Sequence, residues 1–167
     1  TAAMGVPEHG WTMFAGIAHP KSRGRVKLSG HGPFDPALID ARTLSHPDDM
    51  KTALANIELC RALGAHPAMA SLVKREALPG LRDRKAMEDF ARNAAVTYWH
   101  QCGTARMGRD RMAVVDGRLR VHGIDRLRVA DSSVMPEVTS GNTMAPCVVI
   151  GEKAAEFIRA AHGLESA

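Results

Sequence analysis

Strand-like and helical runs occur in this 167-residue chain without alternating as strand–helix–strand units. Neighbouring parallel strands need a crossover of a dozen or more residues, usually a helix. The order therefore argues against a doubly wound parallel sheet. It predicts an α+β fold, a mixed or antiparallel sheet layer with helices against it. The length suits one domain with a real core and is short for two ordinary ones.

Segment by segment, Trp11 to Ala18 mixes apolar and small residues and reads as a buried strand closed by His19-Pro20. Arg25-Val-Lys-Leu28 alternates charge with apolarity, as a half-solvated strand should. Gly30 to Pro36 is a Gly- and Pro-rich loop. A helix then starts after Ser45 or His46, with Pro47 in its first turn and Asp48 and Asp49 at its positive end. Its inward residues are Met50, Ala53, Leu54, Ile57 and Cys60, and Gly64 stops it. A short helix is expected over Leu72 to Ala77, and a third from Asp83 to Val96 with Met87, Phe90, Ala91 and Ala94 inward. After Tyr98 the pattern changes. Asp116-Gly117 between two apolar-bearing runs signals a hairpin, Leu127 to Ala130 a short strand. From Thr143 a final helix begins, with Pro146 in its first turn and Val149, Ile150, Ala154, Phe157 and Ile158 on or near one face.

Composition removes several function classes. The formal charge is +4 and basic residues cluster at Lys21 to Lys27 and Arg82 to Lys85, but aromatic residues are only 4% of the chain. Without stacking side chains or a recognised motif, the clusters read as solvated faces and no nucleic-acid partner is expected. No stretch is apolar for long enough to span a bilayer. Cys60, Cys102 and Cys147 form no even framework and no Cys-x-x-Cys, so reduced thiols in the cytoplasm are expected. Eight histidines occur without metal-ligand spacing, and no metal is expected. The chain opens at Thr1 with no charged-then-apolar leader, and is read as a piece of a longer protein.

Two loops are richer in polar and small residues than packing requires. In Tyr98-Trp-His-Gln-Cys-Gly-Thr-Ala-Arg-Met-Gly108, His100 is either a general base or an ordinary packed histidine. Thr139-Ser-Gly-Asn-Thr-Met144 precedes the last helix, whose start is either simply capped or open to negative charge. There Gly141 permits close backbone approach, and Asn142 can both donate and accept. Gly30-His-Gly32 partly mimics a dinucleotide fingerprint, but Asp35 holds the third glycine position and Pro33 stands where a helix should begin.

Taken in order, these segments resemble the C-terminal region of the glucose-methanol-choline oxidoreductases. The likeness is carried by His19-Pro-Lys-Ser-Arg-Gly-Arg-Val-Lys-Leu28, Phe34-Asp-Pro36, Leu44-Ser-His-Pro-Asp-Asp49 and His100-Gln-Cys-Gly-Thr-Ala-Arg-Met-Gly108. It continues through Leu127-Arg-Val-Ala-Asp-Ser-Ser-Val-Met-Pro136, Thr139-Ser-Gly-Asn-Thr-Met-Ala-Pro146 and Ile150-Gly-Glu-Lys-Ala-Ala155. The resemblance implies a protein that binds FAD and oxidises a choline-like or other primary alcohol to an aldehyde. His100 would accept the hydroxyl proton while hydride moves to flavin N5. Asn142 would hold the alcohol oxygen, and Asp131, Ser132, Asn142, Thr143 and Met144 would line the flavin. An Asn at 142 is closer to choline-type relatives than to sugar oxidases.

The resemblance also divides the chain. Residues 1–97 would belong to a substrate-binding domain and 98–125 would hold the histidine loop and hairpin. Residues 126–167 would supply a strand, a flavin-facing loop and the closing helix of the FAD domain. The adenosine-binding glycine loop is absent, so this chain alone is expected to be inactive and to bind FAD poorly. Gln101 and Ala105 stand where relatives commonly carry Pro and Cys. The alternative reading is a non-catalytic module that self-associates or meets a partner, with apolar surface around Val129 and along the last helix.

Overall fold

A computed structural model describes residues 7–80 and 82–164. The chain forms two compact units, one from residues up to Gly24 together with Asp40–Val96, the other from Arg25–Ile39 and the chain from Thr97 onward.

The first unit is helical. Helix α1 spans Pro47–Gly64 and α2 spans Arg84–Ala94. His46 caps α1 through its ring, which accepts from the Asp48 N–H at 3.2 Å, so the histidine fills the role rather than Ser45. Asp83 caps α2 by accepting from the Ala86 N–H at 2.8 Å. Gly64 lies inside α1, and Ala65 closes it. Leu44, Met50 and Ala91 form a small core, with Ile17, Ala53, Leu54 and Ile57 packed on it. The buried Asp49 carboxylate, 3% exposed, accepts from Lys21 N–H at 2.8 Å, Ser22 N–H at 2.7 Å and the Ser22 hydroxyl at 2.5 Å. It thereby fastens the Pro20–Arg23 segment to the start of α1.

Two expectations fail here. Trp11 to Ala18 is not a buried strand: it has no strand partner, and Phe14 is 81% exposed. The segment instead runs along α1, where the Asn56 amide donates to the Gly16 carbonyl at 3.2 Å. Leu72 to Ala77 forms no helix. Six residues without a side-chain cap cannot repay helix nucleation. The cap goes instead to His66, which starts a 3-10 turn at Pro67–Met69.

Strand β1, Arg25–Lys27, pairs with β2, Leu38–Asp40, and both lie in the second unit save Asp40, the last residue of β2. The expected sheet layer is thus reduced to two short strands, helped by three isolated bridges: Met107 with Val115, Val115 with Val121 and Arg120 with Arg128. The loop between β1 and β2 folds around Asp35, whose carboxylate accepts from Gly32 N–H at 2.8 Å. Helix α3 spans Met144–His162 and ends at Gly163, left-handed at φ 63°. Its inward side chains are Ile150, Ala154 and Phe157, which meet Val115, Leu119 and Val134 in a second core. Val149 and Ile158 point outward instead, because the inward stripe takes only i, i+4 and i+7.

The hairpin at Asp116-Gly117 is present in tight form. Leu119 N–H donates to Asp116 O at 2.9 Å, and the left-handed residue is the buried Leu119, at φ 64°, rather than the glycine. Burial of the leucine holds this costly conformation.

Candidate active site

The histidine loop is fixed from both sides. At its start, the Thr97 hydroxyl oxygen accepts from Trp99 N–H at 3.0 Å and from the Gln101 side-chain amide. Trp99 between them is left-handed, at φ 59°. Such backbone is uncommon for a bulky residue and persists where its surroundings impose it.

Further along, the loop is laid against the 3-10 turn Ser132–Val134. Ser132 donates its hydroxyl to Gln101 O at 3.2 Å, Ala105 N–H donates to Ser133 O at 3.0 Å, and Met107 N–H to Val134 O at 2.8 Å. Gly103 supplies the turn through its backbone rather than through lack of space. It is left-handed at φ 87°, and a Cβ there would stand 3.4 Å from Met135 O. Arg106 closes the loop by pairing with Asp110 at 2.6 and 2.9 Å.

Within this frame lies His100, half-buried, with its ring 5.1 Å from that of Tyr98 at an interplanar angle of 81°. Its Nε2 is buried and has no hydrogen-bond partner. Buried polar nitrogens are normally satisfied. Among the described residues, His100 Nε2 is the buried side-chain polar atom left without a partner.

The other sequence-derived residues fall into two sets. Ser132 is joined to the histidine loop through Gln101, whereas Asp131 turns its carboxylate to its own chain, accepting from Ser133 N–H at 2.7 Å. Asn142, Thr143 and Met144 stand at the start of α3, which reaches the histidine loop through the shared core around Val134 and Ala154. Thr143 is buried and makes no side-chain cap, and the first turn carries no acidic residue. The first-turn N–H groups there therefore keep their partial positive charge. Asn142 and Met144 are exposed. Gly141 has an ordinary φ, and a Cβ there would meet nothing within 4 Å, so the chain's own packing does not require glycine. Thr97 was not anticipated as part of the site. Its signal was the Thr-x-x-x-Gln spacing around the histidine, legible only once the bend at Trp99 is known.

A separate depression of about 190 Å³, lined by Arg118, Arg120, Arg128 and Phe157, lies near the C-terminal end of α3, away from these residues. Among the described residues no helix is long and apolar enough to cross a membrane. Nor does any group of three or more His, Cys, Asp or Glu residues gather to hold a metal ion.

Comparison with known proteins gives a consistent result. The C-terminal family model of the GMC oxidoreductases matches residues 20–151. The chain is 44% identical to an alcohol dehydrogenase [acceptor] of Pseudomonas putida over 153 residues, 90% of this chain and 28% of that protein. It is 39% identical to an oxygen-dependent choline dehydrogenase of Escherichia coli over 156 residues, 92% of this chain and 28% of the relative. Formate oxidase of Aspergillus oryzae, described with respect to modification of its FAD, aligns with a TM-score of 0.81 and 31% identity, covering 86% of this chain and 26% of that one. The chain thus spans under a third of each relative's length.

Proposed function

From the premise that this chain belongs to the GMC oxidoreductase family, we propose that it supplies the C-terminal part of an FAD-dependent enzyme that oxidises a primary alcohol, choline-like or otherwise, to an aldehyde. The observation that carries the reading is the buried, unpartnered Nε2 of His100 in a loop braced by Thr97 and Ser132.

The residues present fit such a cofactor. The start of α3 has neither an acidic residue in its first turn nor a capping side chain, which suits an electron-rich group. Asn142, Thr143 and Met144 from that start, with Ser132 and Asp131 from the neighbouring turn, are the residues that would hold it. FAD, when bound, supplies the hydride acceptor. His100 accepts the hydroxyl proton of the alcohol at Nε2, because that nitrogen is already withdrawn from water and spends no hydrogen bond on the protein. Asn142 donates its amide N–H to the alcohol oxygen and restrains the charge that develops there. By itself the chain lacks a glycine-rich nucleotide loop, and we infer that it binds FAD poorly and is inactive alone.

Replacement of His100 by Ala in the full-length, flavin-loaded protein should slow flavin bleaching by substrate about 10²- to 10⁴-fold, the span of a lost general base. Bleaching at the parent rate would remove His100 from the chemistry.

A second reading draws on the outward face of α3, where Met144, Val148 and Val149 are all exposed, Met144 at 75%. In it the chain associates with itself or with a partner through that face. Val129, expected on the same surface, packs on the second core instead and takes no part.

A further inference from the structure

We propose that Tyr98 is a positioning residue for His100, its ring holding the imidazole in one orientation with Nε2 kept from water and from other protein groups. The proposal rests on the reading of His100 as proton acceptor and adds the device that keeps it ready.

Three observations carry it. First, the two rings meet edge to face, 5.1 Å between centroids and 81° between planes. That is an arrangement aromatic pairs prefer. The left-handed turn at Trp99 supplies the bend, and the Thr97 hydroxyl holds it by accepting from both Trp99 N–H and the Gln101 amide.

Second, Tyr98 does little else. It is 65% exposed and belongs to neither apolar core. Its ring contacts are Trp99, 6.3 Å away and tilted by 37°, and His100. Among the described residues its ring contacts are thus confined to the histidine loop.

Third, the orphaned nitrogen needs such support. A hydrogen bond usually fixes an imidazole's orientation, and Nε2 has none. Ring contact with Tyr98 can fix the orientation while leaving Nε2 available to an incoming hydroxyl. Because proton transfer requires hydrogen-bond reach, a freed ring would spend much of its time misdirected.

The test uses the full-length, flavin-loaded protein with Tyr98→Leu and Tyr98→Phe, and Thr97→Val as a variant that keeps both rings and releases the bend. The His100 ring resonance is followed with labelled histidine, and flavin reduction by choline and by benzyl alcohol is followed by stopped flow. Expected are a displaced His100 resonance in the Val variant, where the ring current of Tyr98 is retained, and an unmoved one in the Phe variant. The Leu variant should lose about tenfold in limiting reduction rate with the half-saturating alcohol concentration little changed. The Phe variant should stay within about twofold, matching the span of an edge-to-face contact. A His100 resonance that stays put in the Val variant, which keeps both rings, or a Phe variant as slow as Leu, would overturn the proposal. So would a Leu variant that reduces flavin at the parent rate. Where neither alcohol reduces the parent's flavin, the resonance alone decides. His100→Ala separates the two readings: if it reduces flavin at the parent rate the proton-acceptor role fails, while the resonance still reports whether Tyr98 orients the ring.

Discussion

The hydroxyl of Ser132 donates to the carbonyl oxygen of Gln101 at 3.2 Å, joining the turn before α3 to the residue that follows His100. That bond is one of three between the histidine loop and the Ser132 turn, the others being the backbone bonds at Ala105 and Met107. Ser132→Ala should lower stability by only about 1 kcal/mol, because the backbone bonds at Ala105 and Met107 remain. It should nevertheless reduce the flavin-reduction rate severalfold, since the loop loses its tie nearest the histidine. Thermal melting and stopped-flow reduction of the same sample check both halves.

Two glycines in these loops should respond in opposite ways. Gly103→Ala puts a Cβ into left-handed backbone and against Met135 O, so it should cost about 1–2 kcal/mol and loosen the histidine loop. Gly141→Ala meets open space at an ordinary φ and should be neutral or stabilising by up to about 1 kcal/mol in this chain. Urea unfolding of the two variants gives the comparison. If Gly141→Ala leaves the fold intact yet weakens flavin retention in the full-length protein, the glycine serves close approach of the cofactor.

Acid should weaken the second unit through two carboxylates. Hydrogen bonds from the Arg106 guanidinium, helped by Met112 N–H, hold the Asp110 carboxyl at about 2, below its ordinary 3.8. Partial burial acts against ionisation of Asp116. The Arg120 backbone and side chain and the Arg118 N–H outweigh it and also bring that group to about 2. Both groups bind protons more weakly folded than unfolded, so their contribution is complete above about pH 4 and is lost as pH falls towards 2. The urea midpoint should be level above pH 5 and fall between 4 and 2, and Arg106→Gln should shrink that fall. A midpoint equally sensitive with and without Arg106 would remove Asp110 from the explanation.

The outward face of α3 makes a separate prediction about assembly. If Met144, Val148 and Val149 drive association of this chain, light scattering should report a dimer or larger species. Val148→Glu with Val149→Glu should return it to a monomer without loss of helix by circular dichroism. A monomer before substitution would leave that face to a partner other than a second copy.

Much of the first unit was legible in the sequence. Pro47 after a capping residue, acidic residues in the first turn and a 3.6-residue apolar stripe locate α1, while Asp83 marks the start of α2. These signals are local: capping and periodicity act within a turn or two. The segments that failed were Trp11 to Ala18 and Leu72 to Ala77, apolar enough for a strand or helix but lacking a partner or a cap, and Leu127 to Ala130, expected as a strand but reduced to a single bridge from Arg128 to Arg120. The strand β2 went unseen because Leu38-Ile-Asp40 is too short to show alternation. At the site, the sequence singled out His100 and the Thr139–Met144 loop by residue type. It could not reveal that Thr97 braces the bend, since that bond depends on a left-handed Trp99 that no local pattern calls for.

The sequence by itself located α1, α2 and α3, the order of loops and the membership of the family, because each rests on residue types at short fixed spacing. It left the α1 cap between Ser45 and His46 and expected a helix at Leu72 to Ala77 that does not form. Only the tertiary structure decided which of the polar loop residues act together. Packing Val134, Val115 and Ala154 into one core brings the histidine loop, the Ser132 turn and α3 into one unit. In the same unit His100 Nε2 is buried and without a partner. Burial and hydrogen-bond satisfaction depend on neighbours distant in sequence, and no local pattern encodes which nitrogen will be left without one.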